Sequence, residues 1–210
     1  MHDFFINTQK PVLSIDFANK ADEGKYSLFS GATVCSDGTT RALRIDKDGP
    51  HARIPLDINP SQMPTCTLEV WVKLESIANK QGWLLGNERT GYDRTILMHD
   101  SRFGGGVALA VGYAYKTSHG PPKLHQWLHV VAIFSQGKGS YVYVDGVRSE
   151  GVVAKNRPSG AMTELWLGRP HHGNHFVDCW VRAVRVYDCA LPDEAVQDLY
   201  KRGIPGIQKP

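Results

Sequence analysis

Apolar and polar positions alternate along this chain in short runs, with turn residues between one run and the next. Cys66 to Val72 shows the pattern most clearly. Cys66, Leu68, Val70 and Val72 fall on one side, and Thr67, Glu69 and Trp71 on the other. A period of two marks a β-strand, because successive side chains point to opposite faces of the pleat. Leu128 to Phe134 is apolar on nearly both sides, as expected of a central strand covered above and below. Tyr141 to Val144 runs into Asp145-Gly146, a pair suited to the two-residue hairpin whose central positions both need positive φ. Leu165 to Leu167 and Val181 to Tyr187 read as further strands, and Val12 to Phe17, Ala42 to Ile45 and Trp83 to Leu85 as shorter ones.

One segment has a helical period instead. Asp193 to Arg202 places Ala195, Val196, Leu199 and Tyr200 on one side, with acids at its start and Lys201-Arg202 at its end. Pro192 suits the first turn and Gly203 the stop. No internal repeat or shift in composition divides the 210 residues, so one domain is expected over 1–210, with its core at about 12–202. Many short strands with one late helix predict a sandwich or a barrel.

Composition narrows the function classes. A chain 41% hydrophobic and 21% charged is ordinary for a soluble globular protein. The net charge is only +3, with no basic run of five or more. The stripe that would replace counterions along phosphates is therefore missing, and nucleic acid is not an expected partner. No apolar run approaches the roughly 18 residues of a membrane helix, so no membrane span is expected. The opening MHDFFINTQKP has no charged leader followed by an apolar stretch, so it reads as no signal peptide, and the compartment stays open. Cys35, Cys66, Cys179 and Cys189 show no metal-ligand spacing. They read as free thiols, with a bridge among them left open.

The runs TLEVWVKLES, QWLHVVAIF, YVYVDGV, LWLGRP and VRAVRVYDCALPDEAVQDLY stand in a telling order. Together they resemble the laminin G-like domains of the concanavalin A-like lectin/glucanase superfamily, over about residues 12 to 202. LSIDF and ARIPL match the opening strands of that family. The closing strand is also similar to that of the lectin-like domain appended to trypanosomal trans-sialidases. The resemblance implies an all-β fold: a two-sheet antiparallel jelly-roll sandwich, concanavalin A-like, with one short C-terminal helix. That fold hosts glucanases, lectins, pentraxins and adhesion modules, so it does not by itself choose an activity.

Glycosidases of this fold place an acid set such as Glu-x-Asp-x-x-Glu on one strand, where the period of two aims the acids into one cleft. This chain has none. Glu69 stands alone, Glu75 falls in the following turn, and Asp193 and Glu194 open the helix. No GxSxG, HExxH or phosphate loop is present, so no catalytic residue and no cofactor is assigned. The resemblance also implies a calcium ligand, an Asp in the closing strand. Matching Tyr187 to the family's Tyr puts Arg182 at that place, where a guanidinium would repel the ion. The expectation is no metal, with Arg182 in the ion's stead, held by carbonyls or by an acid of the opening strands such as Asp16. Alternation would put Arg182 on the face of Val184 and Val186. A four-residue shift would make Asp178 the ligand but lose the Tyr187 match.

Three imidazoles, His171, His172 and His175, stand within RPHHGNHF. Their number suits a transition metal, but the reading adopted is a solvated loop. His129 is expected in the core, with His125 as its exposed neighbour. For sugar recognition, aromatic rings stack on pyranose faces while Arg, Asp, Asn and His bind hydroxyls. The candidates are Arg89, Tyr92, Asp93 and Arg94, the pair Tyr113 and Tyr115 on one face, and the histidine loop, all expected at one rim of the concave sheet. Trp83, Trp127, Trp166 and Trp180 are expected as core or cover, and Trp71 is left open. The function expected is a non-catalytic carbohydrate-binding or adhesion module with a glycan or glycoprotein partner. A protein-interaction or assembly module is the alternative, and a divergent glycoside hydrolase the third. Oligomeric state is left open.

Overall fold

The computed structural model describes residues 9–46, 49–77, 81–87, 94–101, 104–111, 120–135, 138–152, 162–170 and 175–207, and the backbone of 114–117. Two antiparallel sheets face each other. Numbered along the chain, the first runs β13 (Val147–Arg148), β12 (Tyr141–Val144), β11 (Trp127–Ser135), β6 (Thr65–Ser76), β15 (Asp178–Tyr187), β4 (Arg41–Ile45), β3 (Thr33–Ser36). β1 (Leu13–Asp16) joins it against β15. The second runs β10 (Ala114–Thr117), β9 (Ala108–Val111), β8 (Thr95–Asp100), β7 (Gln81–Gly86), β14 (Leu165–Leu167), β5 (His51–Ile54), β2 (Ser27–Phe29). This is the all-β jelly-roll expected from the sequence.

The core lies between the sheets and follows the alternation. Cys66, Leu68, Val70 and Val72 of β6 meet Leu84, Ile96, Met98, Leu109 and Leu165 of the opposite sheet, all buried. The β12–β13 hairpin turns on Asp145 and Gly146, with φ of 50° and 78°. β8 and β9 were not legible as strands because they do not alternate. Their other faces are also buried, as Leu97, Ala108 and Ala110 gather with Trp83 on the outside of the second sheet. β2, β3, β10 and a short 3-10 turn at Lys20–Lys25 also lacked a readable period.

The helix α1 (Asp193–Arg202) lies over the outer face of the first sheet. Val196 and Leu191 pack on Val131, Ile133, Tyr143 and Tyr187. Tyr200 stacks on Trp71 with ring centres 6.4 Å apart. Trp71, left open by its polar neighbours, is thus fully buried, as is His129 beside it. β11 is buried along its whole length, since the core lines one face and the helix covers the other. His125, in contrast, is exposed, with φ of 59°. All four cysteines are free, and burial pushes the Cys66 thiol up to about 11.

Arg182 required a correction to simple alternation. Val181 pairs with Val72 and Ala183 with Trp71, so a β-bulge makes Arg182 the extra residue of β15. Val181 and Val184 both keep to the core while Arg182 is released from it. β4 pairs with β15 up to Val181 and β1 takes over at Ala183, which leaves Arg182 at the junction. There its guanidinium meets Asp16 in an ion pair, donates to Thr40 Oγ1 at 3.2 Å and to the Pro205 carbonyl at 3.4 Å. Burial, then the charge of Arg185, lowers its pKa from the usual value. These residues do not fit calcium, whose hard-oxygen shell has no place for a guanidinium. Among the described residues no group of three His, Cys, Asp or Glu side chains could hold a metal.

Candidate functional site

The outer face of the second sheet carries a row of rings. On β5, Ala52 and Ile54 turn to the core, so His51 and Arg53 face out. By the same rule Trp166 faces out between Leu165 and Leu167. His51 stacks between Phe29 and Trp166, with centroids 5.1 Å from each. The Arg53 guanidinium lies 4.2 Å from the Phe29 ring and 4.2 Å from the Trp166 ring. Glu164 closes the row: its Oε1 accepts from Trp166 Nε1 at 2.8 Å and lies 3.6 Å from Arg53. Burial, against the hydrogen bond to the Gly49 carbonyl, lowers the His51 pKa, so the ring stays neutral. The neutral ring donates from Nδ1 to Gly49 and accepts from Arg53 Nε at 3.4 Å.

Beside this row the sheet carries small residues. Trp83, Leu85, Gly86, Thr95, Trp166, Arg169 and Pro170 line a pocket of about 10 Å³, room for one water-sized group. Gly86 has to be glycine, because a Cβ there would overlap Thr95 Oγ1 and stand 2.7 Å from the Arg94 carbonyl oxygen. Thr95 is 1% exposed, and its Oγ1 has no hydrogen-bond partner. A buried hydroxyl left unpaired costs on the order of 1–3 kcal/mol. A hydroxyl from outside that entered the pocket would recover that cost. Arg169 forms one wall, its guanidinium 5.9 Å from the Trp166 ring and 5.5 Å from the Phe176 ring, with Nε donating to the Pro170 carbonyl at 3.3 Å.

Of the residues expected to bind sugar at one rim, the structure describes Arg94 and His175. Arg89, Tyr92, Asp93, Tyr113, His171 and His172 lie outside the described residues, as does the Tyr115 side chain. His175 stands 6.5 Å from Trp83 ring to ring, and its carbonyl accepts from Trp83 N at 3.0 Å. Arg94 is a correction. It is 1% exposed and donates to the carbonyls of Ile58, Met63 and Pro64 at 2.5–2.8 Å, which fixes the loop before β6. A buried guanidinium needs such acceptors and is removed from ligand contact.

Phe29, His51, Arg53, Thr95 and Arg169 were not named from the sequence. The outward pair in HARI was readable from alternation. The pocket was not, since it needs strands distant in sequence to become neighbours. Glu69 is also committed elsewhere. It lies 1% exposed under α1, accepting from Arg185 at 2.6 Å and Tyr187 at 3.0 Å, with His129 Nε2 at 3.3 Å. Trp83, Trp127 and Trp166 are buried, and Trp180 half-buried, as core or cover.

A family model described as the concanavalin A-like lectin/glucanases superfamily matches residues 46–197. No protein of curated function matches the sequence. Among solved structures, domain 4 of AbnA, a GH43 extracellular arabinanase from Geobacillus stearothermophilus in complex with arabinotriose, superposes with a TM-score of 0.73. The identity is 15%, over 91% of this chain and 98% of that one. A botulinum neurotoxin type C structure, whose cell entry depends on two ganglioside molecules, gives 0.67 at 12% identity, over 94% of this chain and 52% of that one. Trypanosoma rangeli sialidase in complex with the inhibitor DANA gives 0.62 at 19%, over 83% of this chain and 29% of that one. At such identities the likeness is one of fold.

Proposed function

Since the chain belongs to the concanavalin A-like lectin/glucanases superfamily, we propose that residues 1–210 form one carbohydrate-binding module whose ligand sits on the outer face of the second sheet. The observation that carries this is the unpartnered Thr95 hydroxyl, buried in a pocket walled by Trp83 and Trp166. Sugars present hydroxyls beside apolar ring faces, and an aromatic wall around an unmet polar atom is complementary to that pattern. Two of the structural neighbours carry or depend on glycans, an arabinotriose and gangliosides. A glycan array followed by thermal-shift titration tests the reading. At least one oligosaccharide is expected to bind and raise the melting temperature, with binding weakened in Thr95→Val. No binder on the array and no stabilisation by any oligosaccharide would overturn it.

A groove of about 380 Å³ between α1 and Gln9–Pro11 favours a second reading, a protein-interaction module. Its walls include Pro11, Leu191, Ala195 and Leu199, with Arg185 and Arg202 at the polar side. Sedimentation showing a concentration-dependent dimer that Leu199→Glu abolishes would support it, and a monomer at all concentrations would count against it.

A further inference from the structure

We propose that the ligand is an anionic sugar and that Arg169 receives its carboxylate or sulfate. The inference rests on the carbohydrate reading above and adds the chemical class of the ligand. Among the described arginines, Arg41, Arg44, Arg53, Arg148, Arg182 and Arg185 each meet an acid. Arg169 meets none. Among the described residues its one hydrogen bond runs from Nε to the Pro170 carbonyl, and no described acceptor meets its terminal nitrogens. Glu164, the acid of the neighbouring row, is already engaged by Trp166 and Arg53.

The guanidinium is nevertheless held in place. Trp166 and Phe176 lie within 6 Å of it, and the Pro170 bond anchors one edge. A planar fork so anchored keeps its two terminal nitrogens for a bidentate partner, and carboxylate and sulfate oxygens match that spacing. Arg169 lines the same pocket as Thr95. A sugar that places one hydroxyl on Thr95 therefore brings a ring substituent within reach of Arg169. Arg53 and Arg169 against Glu164 leave the described part of this face with one positive charge in excess, which favours an anion over a neutral sugar.

The test uses the full chain on an array of uronate-, sialate- and sulfate-bearing glycans, each printed beside its neutral counterpart (methyl ester, desialylated or desulfated). The bound glycans are expected to be acidic and to lose at least about tenfold in affinity when neutralised, about 1.4 kcal/mol. The uronate and sialate arms against the sulfate arm tell which anion is preferred. Arg169→Ala is expected to abolish the preference for acid. Arg169→Lys, which keeps the charge but not the fork, should restore part of it. Binding should also weaken as salt rises. Neutral glycans bound as tightly as their acidic partners, or an unchanged preference in a folded Arg169→Ala protein, would overturn the proposal and leave the carbohydrate reading intact. An array with no binder would remove both.

Discussion

The outer faces of the two sheets are both largely buried, and they differ in how their polar groups are satisfied. On the first, Thr67, Glu69, Trp71 and Tyr143 would be a polar surface, but α1 and the segment before it close over them. Thr67 Oγ1 donates to the Cys189 carbonyl at 2.7 Å, Tyr143 donates to Asp193 at 2.8 Å, and Glu69 collects its three donors. Each carboxylate there finds a partner within the chain. Among the described residues beneath the helix, the Trp71 indole nitrogen stays without a hydrogen-bond partner. On the second face, among the described residues, the Thr95 hydroxyl has no hydrogen-bond partner, and it lines a pocket together with Arg169. A sheet face covered by its own chain becomes a second core. The second outer face, buried around Trp83, Leu97, Ala108 and Ala110, keeps a polar group that a ligand can complete.

The largest effect that would break this contrast is on stability. Trp71→Ala removes the ring on which Tyr200 and His129 stack, and should cost about 3–5 kcal/mol in urea unfolding. Glycan binding of the remaining folded protein should not change. A loss below about 1 kcal/mol would show that the helix does not create a second core.

Glu69→Gln comes next, at about 3 kcal/mol near neutral pH, because it breaks a buried charge pair with Arg185. Burial raises the Glu69 pKa, but the His129 hydrogen bond and the Arg185 charge outweigh it and hold the carboxyl below 4.5. A depressed carboxyl stabilises the fold fully above its unfolded pKa and loses that contribution as pH falls through the folded value. The native protein should therefore lose stability steeply below pH 4.5, and Glu69→Gln should lose less over the same range. Parallel acid limbs for the two proteins would contradict the pairing.

Arg182→Ala should cost about 2 kcal/mol, less than a fully buried pair because Asp16 keeps part of its solvent contact. Melting curves with calcium or with a chelator should superimpose. A calcium-dependent rise in melting temperature would mean that a metal shares the junction with the guanidinium.

Thr95→Val is the smallest and the most telling. Removing an unpaired buried hydroxyl should leave stability unchanged or raise it by up to about 1 kcal/mol, while glycan affinity falls about tenfold. A destabilised variant that binds as well as the native protein would assign Thr95 to the fold and not to the ligand.

Much of the fold was legible because alternation and turn chemistry act locally. The period of two in Cys66–Val72, the Asp145-Gly146 turn and the bounds of α1 each follow from a few adjacent residues. β8 and β9 escaped because their two faces are both buried, and a strand with no polar side has no period to read. Arg182 shows the boundary well. Its charge and its partner Asp16 were readable, but the bulge that lifts it from the core appears only when β15 pairs with β6.

Local order in the sequence thus determined the class of fold, the hairpins and the helix, since neighbours along the chain fix period and turn. Tertiary structure alone decided what packs on each sheet face and that Thr95 and Arg169 line one pocket. Arg94 turned inward for the same reason: the carbonyls that satisfy it belong to Ile58, Met63 and Pro64, about thirty residues earlier. Burial and pairing of a polar side chain depend on what lies across the fold, which no local pattern records.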